Sequence, residues 1–518
     1  MRGSVAVLLV LSLLATGLLA SSPARAGTPT TLPPLAFGSP SGSPPPLPLD
    51  SPWSANVQVS EDDTPGSQNE ITIAVASDGR IHMGWNDARQ PNPDYRCGYS
   101  HSTDGGVTWS PNVLFHKAGW EADGDPVLVV DSSNAVYFVC MAFNRSSFSS
   151  QIWVYKSTDG GVSWSGGTLA SDTSTGLNDK PWAFVAGNTI HLCYANFGVA
   201  PNELRYTRST DGGLTWAPTR VIDRNGNGCV FALDGTGTLH LAWSRGGGIY
   251  AFRSANDGVA WSSATLVGPA PFTGAGDQRA GSLPMIAADR RSGNPNVYVV
   301  WTANDGAGSW DVRFARSTNS GVTWSPATSV NDVITNRQFM PAIGVDGGGV
   351  VHASWYDNRT GQMTYRSAYS TDAGQSWSSG VRVTDTEWVS TYFIGDYTAL
   401  VVDAFGFVNC GWSDFRTGSV EAFFSRRPPF SPPLLTQIDV TPPEAWTDAD
   451  TSVAFGATGF DQYGQVYPTN PVWQATGGTV AGGVYTPQSV GDWTVWANES
   501  GVSGAAVVHV SPGALARI

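Results

Sequence analysis

The chain has 518 residues, with 28 basic against 42 acidic side chains and a formal charge of −14. That length exceeds one ordinary domain, so two or more units are expected. A chain this acidic is a poor partner for nucleic-acid phosphates, and with one long apolar run, at its start, no membrane-spanning helix is expected.

Residues 1–26 read as an export signal. Arg2 gives a basic start, Val5 to Ala20 is almost wholly apolar, and Ala24-Arg25-Ala26 is a small-x-small cleavage site. A secreted or cell-surface location follows. Residues 27–50 are rich in Pro, Ser, Thr and Gly, which bury too little apolar surface to fold, so they read as a linker.

From residue 51 to 430 one pattern recurs, Ser-x-Asp-x-Gly-x-x-Trp. It runs from Ser102 to Trp109, Ser157 to Trp164, Ser209 to Trp216, Ser254 to Trp261, Ser317 to Trp324 and Ser370 to Trp377, with Asn256 and Asn319 in the Asp position of two copies. The Asp or Asn accepts hydrogen bonds from its own turn, the Gly permits a positive φ, and the Trp covers the turn. Successive copies lie 55, 52, 45, 63 and 53 residues apart, the length of a four-stranded propeller blade with its loops. A second strand signal occurs seven times, ending at Trp85, Cys140, Tyr194, Trp243, Trp301, Trp355 and Trp412. The segment Trp53 to Ser60 resembles the segment after each turn. It therefore predicts an N-terminal strand that completes a seventh blade, whose own chain leaves at Arg427-Pro428-Pro429.

Residues 434–512 change character, to short alternating strands with Gly turns, as in a small β-sandwich. They resemble bacterial immunoglobulin-like domains, which implies a spacer or adhesive role. The last residues, Ala514 to Ile518, suit the start of a further copy in a truncated chain.

The five cysteines form no Cys-x-x-Cys pair, so no zinc motif is present. A bridge between Cys140 and Cys193 of neighbouring repeats is one option, with buried free thiols expected for most. His82, His191, His240 and His352 share one position in the second strand of four repeats, which predicts packing rather than metal binding. No metal or other cofactor is expected, and the chain is expected to be a monomer.

The residue opening each inner strand should line the mouth of the central channel. Around the ring it is Glu70, Asp125, Lys180, Gly228, Leu283, Met340 and Tyr397, a position that varies where a structural one would repeat. Three blades carry Trp-x-Asp-x-Arg after the second strand, ending at Arg89, Arg359 and Arg416. Each motif admits an Asp–Arg brace within its loop, or a shared basic cluster for an anionic ligand. Glu121, Asp123, Arg279, Arg337, Glu387 and Tyr392 lie in loops of the same face.

The eight-residue turn is similar to the Asp box of the bacterial sialidase (neuraminidase) repeat, and residues 51–430 resemble that superfamily. The resemblance implies a propeller whose Asp boxes close turns on the face opposite the active site. It also implies a Tyr nucleophile paired with a Glu, an Asp acid/base and three Arg on the substrate carboxylate. Carried over, these are Tyr397, Glu70 and Asp125 as catalytic residues and Arg89, Arg359 and Arg416 as the clamp. The family has six blades where this sequence gives seven. Two functions remain open: a sialidase-like hydrolase of terminal acidic sugars, or a non-catalytic propeller binding a glycan, protein or other anionic extracellular ligand.

Overall fold

The computed structural model describes residues 52–61, 66–88, 95–172, 176–271, 283–304, 309–389, 393–429, 434–461 and 466–513. The expected export signal, the linker, Arg89, Arg279, Tyr392 and the last five residues lie outside these. The chain divides into two compact units, one holding residues 53–429 and the other the segment from 430 onward.

The first unit contains seven four-stranded antiparallel sheets among the described residues, each following the last along the chain. Sheet 1 runs Gln68–Val75, Ile81–Asp87, Arg96–Ser102 and Val113–Phe115. The inner strands of sheets 2 to 6 are Ala122–Val130, Asn178–Ala186, Gly226–Leu233, Met285–Ala288 and Gln338–Val345. Sheet 7 combines Ala399–Val402, Val408–Asp414 and Glu421–Arg427 with the N-terminal strand Val57–Gln58. Val57 pairs with Phe424 and Gln58 with Phe423, so the first residues of the unit close the last sheet. Trp53 anchors that strand, donating its indole N–H to Ser367 Oγ at 3.1 Å from a buried position.

Inner strands of consecutive sheets touch all round, and the last touches the first. Side chains from all seven line one axial cavity, among them Ile71, Leu128, Trp182, Phe231, Ile343 and Leu400. This is a closed β-propeller, in which no open sheet edge remains at the junction. The core lies between sheets, where Trp85, Trp243, Trp301, Trp355 and Trp412 are fully buried.

The repeated turns join third and fourth strands. Asp104 accepts from Val107 N–H at 3.1 Å and Thr108 N–H at 2.9 Å, while Ser102 Oγ accepts from Gly106 N–H at 2.9 Å. Gly161 needs its φ of +89°, and a Cβ there would meet the Tyr99 hydroxyl of the preceding sheet. Trp164 stands edge-on to the same Tyr99 at 4.9 Å, so the turn also staples adjacent sheets.

The cysteines depart from expectation. Cys97–Cys140 joins sheets 1 and 2, Cys193–Cys229 joins sheets 3 and 4, and Cys410 is buried and free. Cys140 and Cys193 are therefore not partners, because each strand faces a different neighbour. Four of the five thiols are oxidised rather than free.

The second unit holds three small sheets: Leu435–Thr441 with Gly456–Asp461 and Val466–Tyr467; Glu444–Asp448, Val502–Ser511, Gly491–Glu499 and Val472–Ala475; and Val453–Ala454, Val484–Pro487 and Gly478–Ala481. Val440, Phe455, Tyr485, Val495 and Val508 form its core. No helix among the described residues is long and apolar enough to cross a membrane.

Candidate functional site

The channel mouth is built by a repeated distortion. In sheet 1 the register slips between Asn69 and Thr72, so Glu70 and Ile71 oppose Trp85 alone. The same bulge occurs at Asp125, Lys180 and Met340, with a related slip at Gly228. All five residues have positive φ: +59° at Glu70, +52° at Asp125, +51° at Lys180, +65° at Gly228 and +49° at Met340. For four residues that carry a Cβ, this conformation costs on the order of 1–2 kcal/mol each. A bulge bends its strand and re-aims the side chain. Here it gathers ionisable side chains from neighbouring sheets.

Lys180 is the hub. Its ammonium lies 3.0 Å from Glu70 Oε1, 3.2 Å from Asp125 Oδ1 and 2.9 Å from Asp396 Oδ2, and Lys180 is only 6% exposed. The Lys180 backbone N–H donates to Asp125 Oδ2 and to Asp179 Oδ1, both at 3.0 Å. Asn86 bridges the sheets, donating to Glu70 Oε2 at 2.9 Å and accepting from Asp125 N–H at 2.8 Å. Gly395 passes directly over Glu70, where a Cβ would come within 2.7 Å of its backbone nitrogen.

Four carboxylates around one cation cannot all ionise alike. Burial pushes Glu70 well above the usual range, against the pull of Lys180, and the nearby Asp125 adds to the rise. Burial likewise carries Asp179 up to about 7. Asp125 is also buried, yet the Lys180 ammonium and hydrogen bonds with Glu70 and Asp179 hold it below the usual range. Burial disfavours charge on Lys180, but Asp125, Asp396 and Glu70 keep it protonated. The cluster thus sets Glu70 and Asp179 above, and Asp125 below, the ordinary carboxylate range around a protonated Lys180.

Glu70 and Asp125 are brought together as the aligned ring position implied, and Tyr397 follows Asp396 directly. The Tyr397 hydroxyl donates to the Pro126 carbonyl at 3.2 Å, and its ring stands edge-on to Trp182 at 5.6 Å. Burial, then the charges of Glu70 and Asp125, push its phenol well above the ordinary value. Arg359 pairs with Asp357 and Asp332, each at 2.7 Å. Arg416 pairs with Asp414 and Asp385, and also donates to Asn56 at 2.9 Å. In both motifs the Trp indole donates to the same Asp, at 3.1 Å from Trp355 and 3.0 Å from Trp412. The two motifs whose Arg is described, at Arg359 and Arg416, are thus braces, and both guanidiniums are engaged by carboxylates. Sheet 1 shows the same Trp85–Asp87 bond at 2.9 Å.

Of the other flagged residues, Asp123 pairs with His116 at 2.7 Å, Glu121 caps Arg145 N–H at 2.8 Å, Glu387 pairs with Arg382, and Arg337 lies over the Trp310 ring. The four repeated histidines are buried, His82 and His191 on Tyr99 and Tyr206, His240 and His352 on Asp234 and Asp346. Lys180 and Asp396 had no role in the sequence-based site. Lys180 stood in the ring alignment, and as one of three lysines in the chain it offered a signal.

No family profile matches the chain. A xyloglucanase from a Paenibacillus species is 28% identical over 273 residues, covering 46% of this chain and 24% of that protein. The xyloglucanase Xgh74A of Acetivibrio thermocellus is 25% identical over 257 residues, 43% of this chain and 28% of that protein. The chain thus matches about a quarter of the length of these curated relatives. Among solved structures, a Hadza microbial sialidase is 16% identical with a TM-score of 0.44, covering 56% of this chain and 63% of that one. An α-L-arabinanase from Penicillium chrysogenum is 12% identical with a TM-score of 0.44, covering 72% and 98%.

Proposed function

We propose that the chain is an exported, carbohydrate-active propeller of glycoside hydrolase type, with seven blades and an immunoglobulin-like C-terminal unit, working through the channel face opposite the Asp boxes. One observation carries this reading: neighbouring blades bring together carboxyl groups whose environments drive their protonation apart. Glu70 is raised and Asp125 lowered, so the two carboxyls differ in proton affinity, which is the property acid/base work at a glycosidic oxygen draws on. Export is supported by the signal-like first 26 residues and by two disulfides, which persist in oxidising compartments. The curated relatives named xyloglucanases support a polysaccharide substrate.

The sialidase-like version, with Tyr397 as nucleophile and Arg89, Arg359 and Arg416 as clamp, needs two exchanges. Tyr397 must leave the Pro126 carbonyl, and Arg359 and Arg416 must trade protein carboxylates for that of an acidic sugar. A sugar carboxylate offers the same bidentate partner.

A second reading is a propeller that binds glycan without cleaving it. It is favoured by Lys180, which neutralises the carboxylates from within 3.2 Å in a nearly closed site. The deciding experiment is sugar release from xyloglucan, arabinan and fluorogenic sialosides by the wild type, Glu70→Gln and Tyr397→Phe. Glu70→Gln removes the ionisable proton and keeps only one of the two oxygens to which Lys180 and Asn86 donate, so it should lose turnover while thermal melts check its fold. Binding without turnover by the wild type would select the second reading, and full activity of Glu70→Gln would remove Glu70 from catalysis.

A further inference from the structure

The four-stranded sheet of the second unit buries one face and exposes the other. Along Glu444–Asp448 and Val502–Ser511, Ala445, Ala506, Val508 and Val510 enter the core, so Trp446, Ala505, Val507 and His509 occupy the opposite face. On the next strand Val495 and Ala497 are buried, which places Thr494 and Trp496 on that outer face.

Trp446 is 70% exposed and stacks on His509, with ring centroids 5.0 Å apart and an interplanar angle of 21°. His509 is held by Asp492 at 2.7 Å and Glu444 at 2.9 Å, one on each ring nitrogen. Trp446 and Asp492 both lie level with His509, while Trp496 lies level with Ala505 and Gln474. The two indoles are therefore two strands and four residues apart, about 16 Å by standard sheet spacing. Between them stand only short side chains such as Val507 and Thr494.

An exposed Trp fixed by stacking, with a second, half-buried Trp on the same sheet face, is an unusual use of surface in a unit with an adequate core of its own. The chemistry around the strip narrows the partner. Residues 434–513 hold seven acidic side chains and no Lys or Arg. Phosphates, sulfated or uronic polymers and anionic lipid surfaces would all be repelled. A neutral sugar ring presents C–H groups on its faces and hydroxyls on its edges. Indole faces match the former, and the carboxylates of Glu444 and Asp492 with the amides of Gln474 and Asn498 match the latter.

We propose that this sheet face is a binding platform for an extended, neutral polysaccharide, with Trp446 and Trp496 as its stacking contacts. The platform is built from residues of the second unit alone, and its success or failure is independent of catalysis in the first.

The test is affinity electrophoresis of the full chain in native gels containing xyloglucan, arabinan or hydroxyethylcellulose, with polygalacturonate as the acidic comparison. Variants are Trp446→Ala, Trp496→Ala, Gln474→Ala and Glu70→Gln. At least one neutral polymer should retard the wild type and Glu70→Gln alike, with each Trp variant losing affinity about tenfold or more. Gln474→Ala, at an exposed position outside the core, should weaken retardation less. Retardation unchanged in both Trp variants would overturn the proposal. So would retardation by polygalacturonate alone, or none by any neutral polymer.

Discussion

Replacing Lys180 by Met removes the cation but keeps a side chain of similar length. Glu70, Asp125, Asp179 and Asp396 then face one another without that cation. Breaking a buried ion pair from one side typically costs about 3–5 kcal/mol. With an unfolding entropy of about 2 cal/mol/K per residue over a propeller of this size, that lowers Tm by roughly 5 °C. The pH dependence is the sharper mark. In the wild type the depressed Asp125 contributes stability above its unfolded value, near 4, and loses it as pH falls through its folded value. In the variant Asp125 loses the ammonium that holds it down, and Glu70 and Asp179, already raised, lose the pull that limits their rise. A raised carboxyl contributes stability below its unfolded value and loses it as pH rises through the folded one. The gap between the proteins should therefore be widest at pH 8 and narrow toward pH 4.5. Thermal melts of both across that window measure it. A variant as stable as wild type at pH 8, or a deficit that does not change with pH, would refute the account of the cluster.

Three further outcomes are expected. Replacing Cys97 and Cys140 together by Ala reopens a loop of 43 residues and should cost about 4 kcal/mol by loop entropy, read from denaturant melts. Ser102→Ala removes the hydroxyl that accepts from Gly106 and donates to Asp104, and should cost about 1–2 kcal/mol with turnover unchanged, since that turn lies away from the channel mouth. His509 should titrate above an ordinary histidine, because Asp492 and Glu444 both accept from its ring, and NMR of the wild type and Asp492→Asn would show the value fall in the variant.

Much of the propeller was legible because its signals are local and repeated. The Asp, Gly and Trp of each turn sit within eight residues, and the resemblance of Trp53–Ser60 to the other outer strands located the closing strand. The aligned ring position was legible too, since its variation from Glu70 to Tyr397 marked it as more than packing. What it left hidden was the bulge. A left-handed residue at Glu70, Asp125 and Lys180 has no signature in side chains that ordinarily avoid that conformation. Without the bulge, the inward convergence of Lys180 on three carboxylates could not be inferred. The arginines show the converse. Trp-x-Asp-x-Arg contains its own ion pair, and sequence alone does not decide whether Arg359 turns to Asp357 or to a ligand. The disulfides were missed because pairing depends on which face of each strand meets which neighbour.

The most direct test of the central claim is release of reducing sugar from a panel of neutral and acidic glycans by the wild type and by Glu70→Gln, with folding checked by thermal melts. The account predicts turnover of at least one glycan by the wild type and its loss in a Glu70→Gln that is still folded. Undiminished turnover in Glu70→Gln, or a wild type that neither cleaves nor binds any glycan through the propeller, would contradict it.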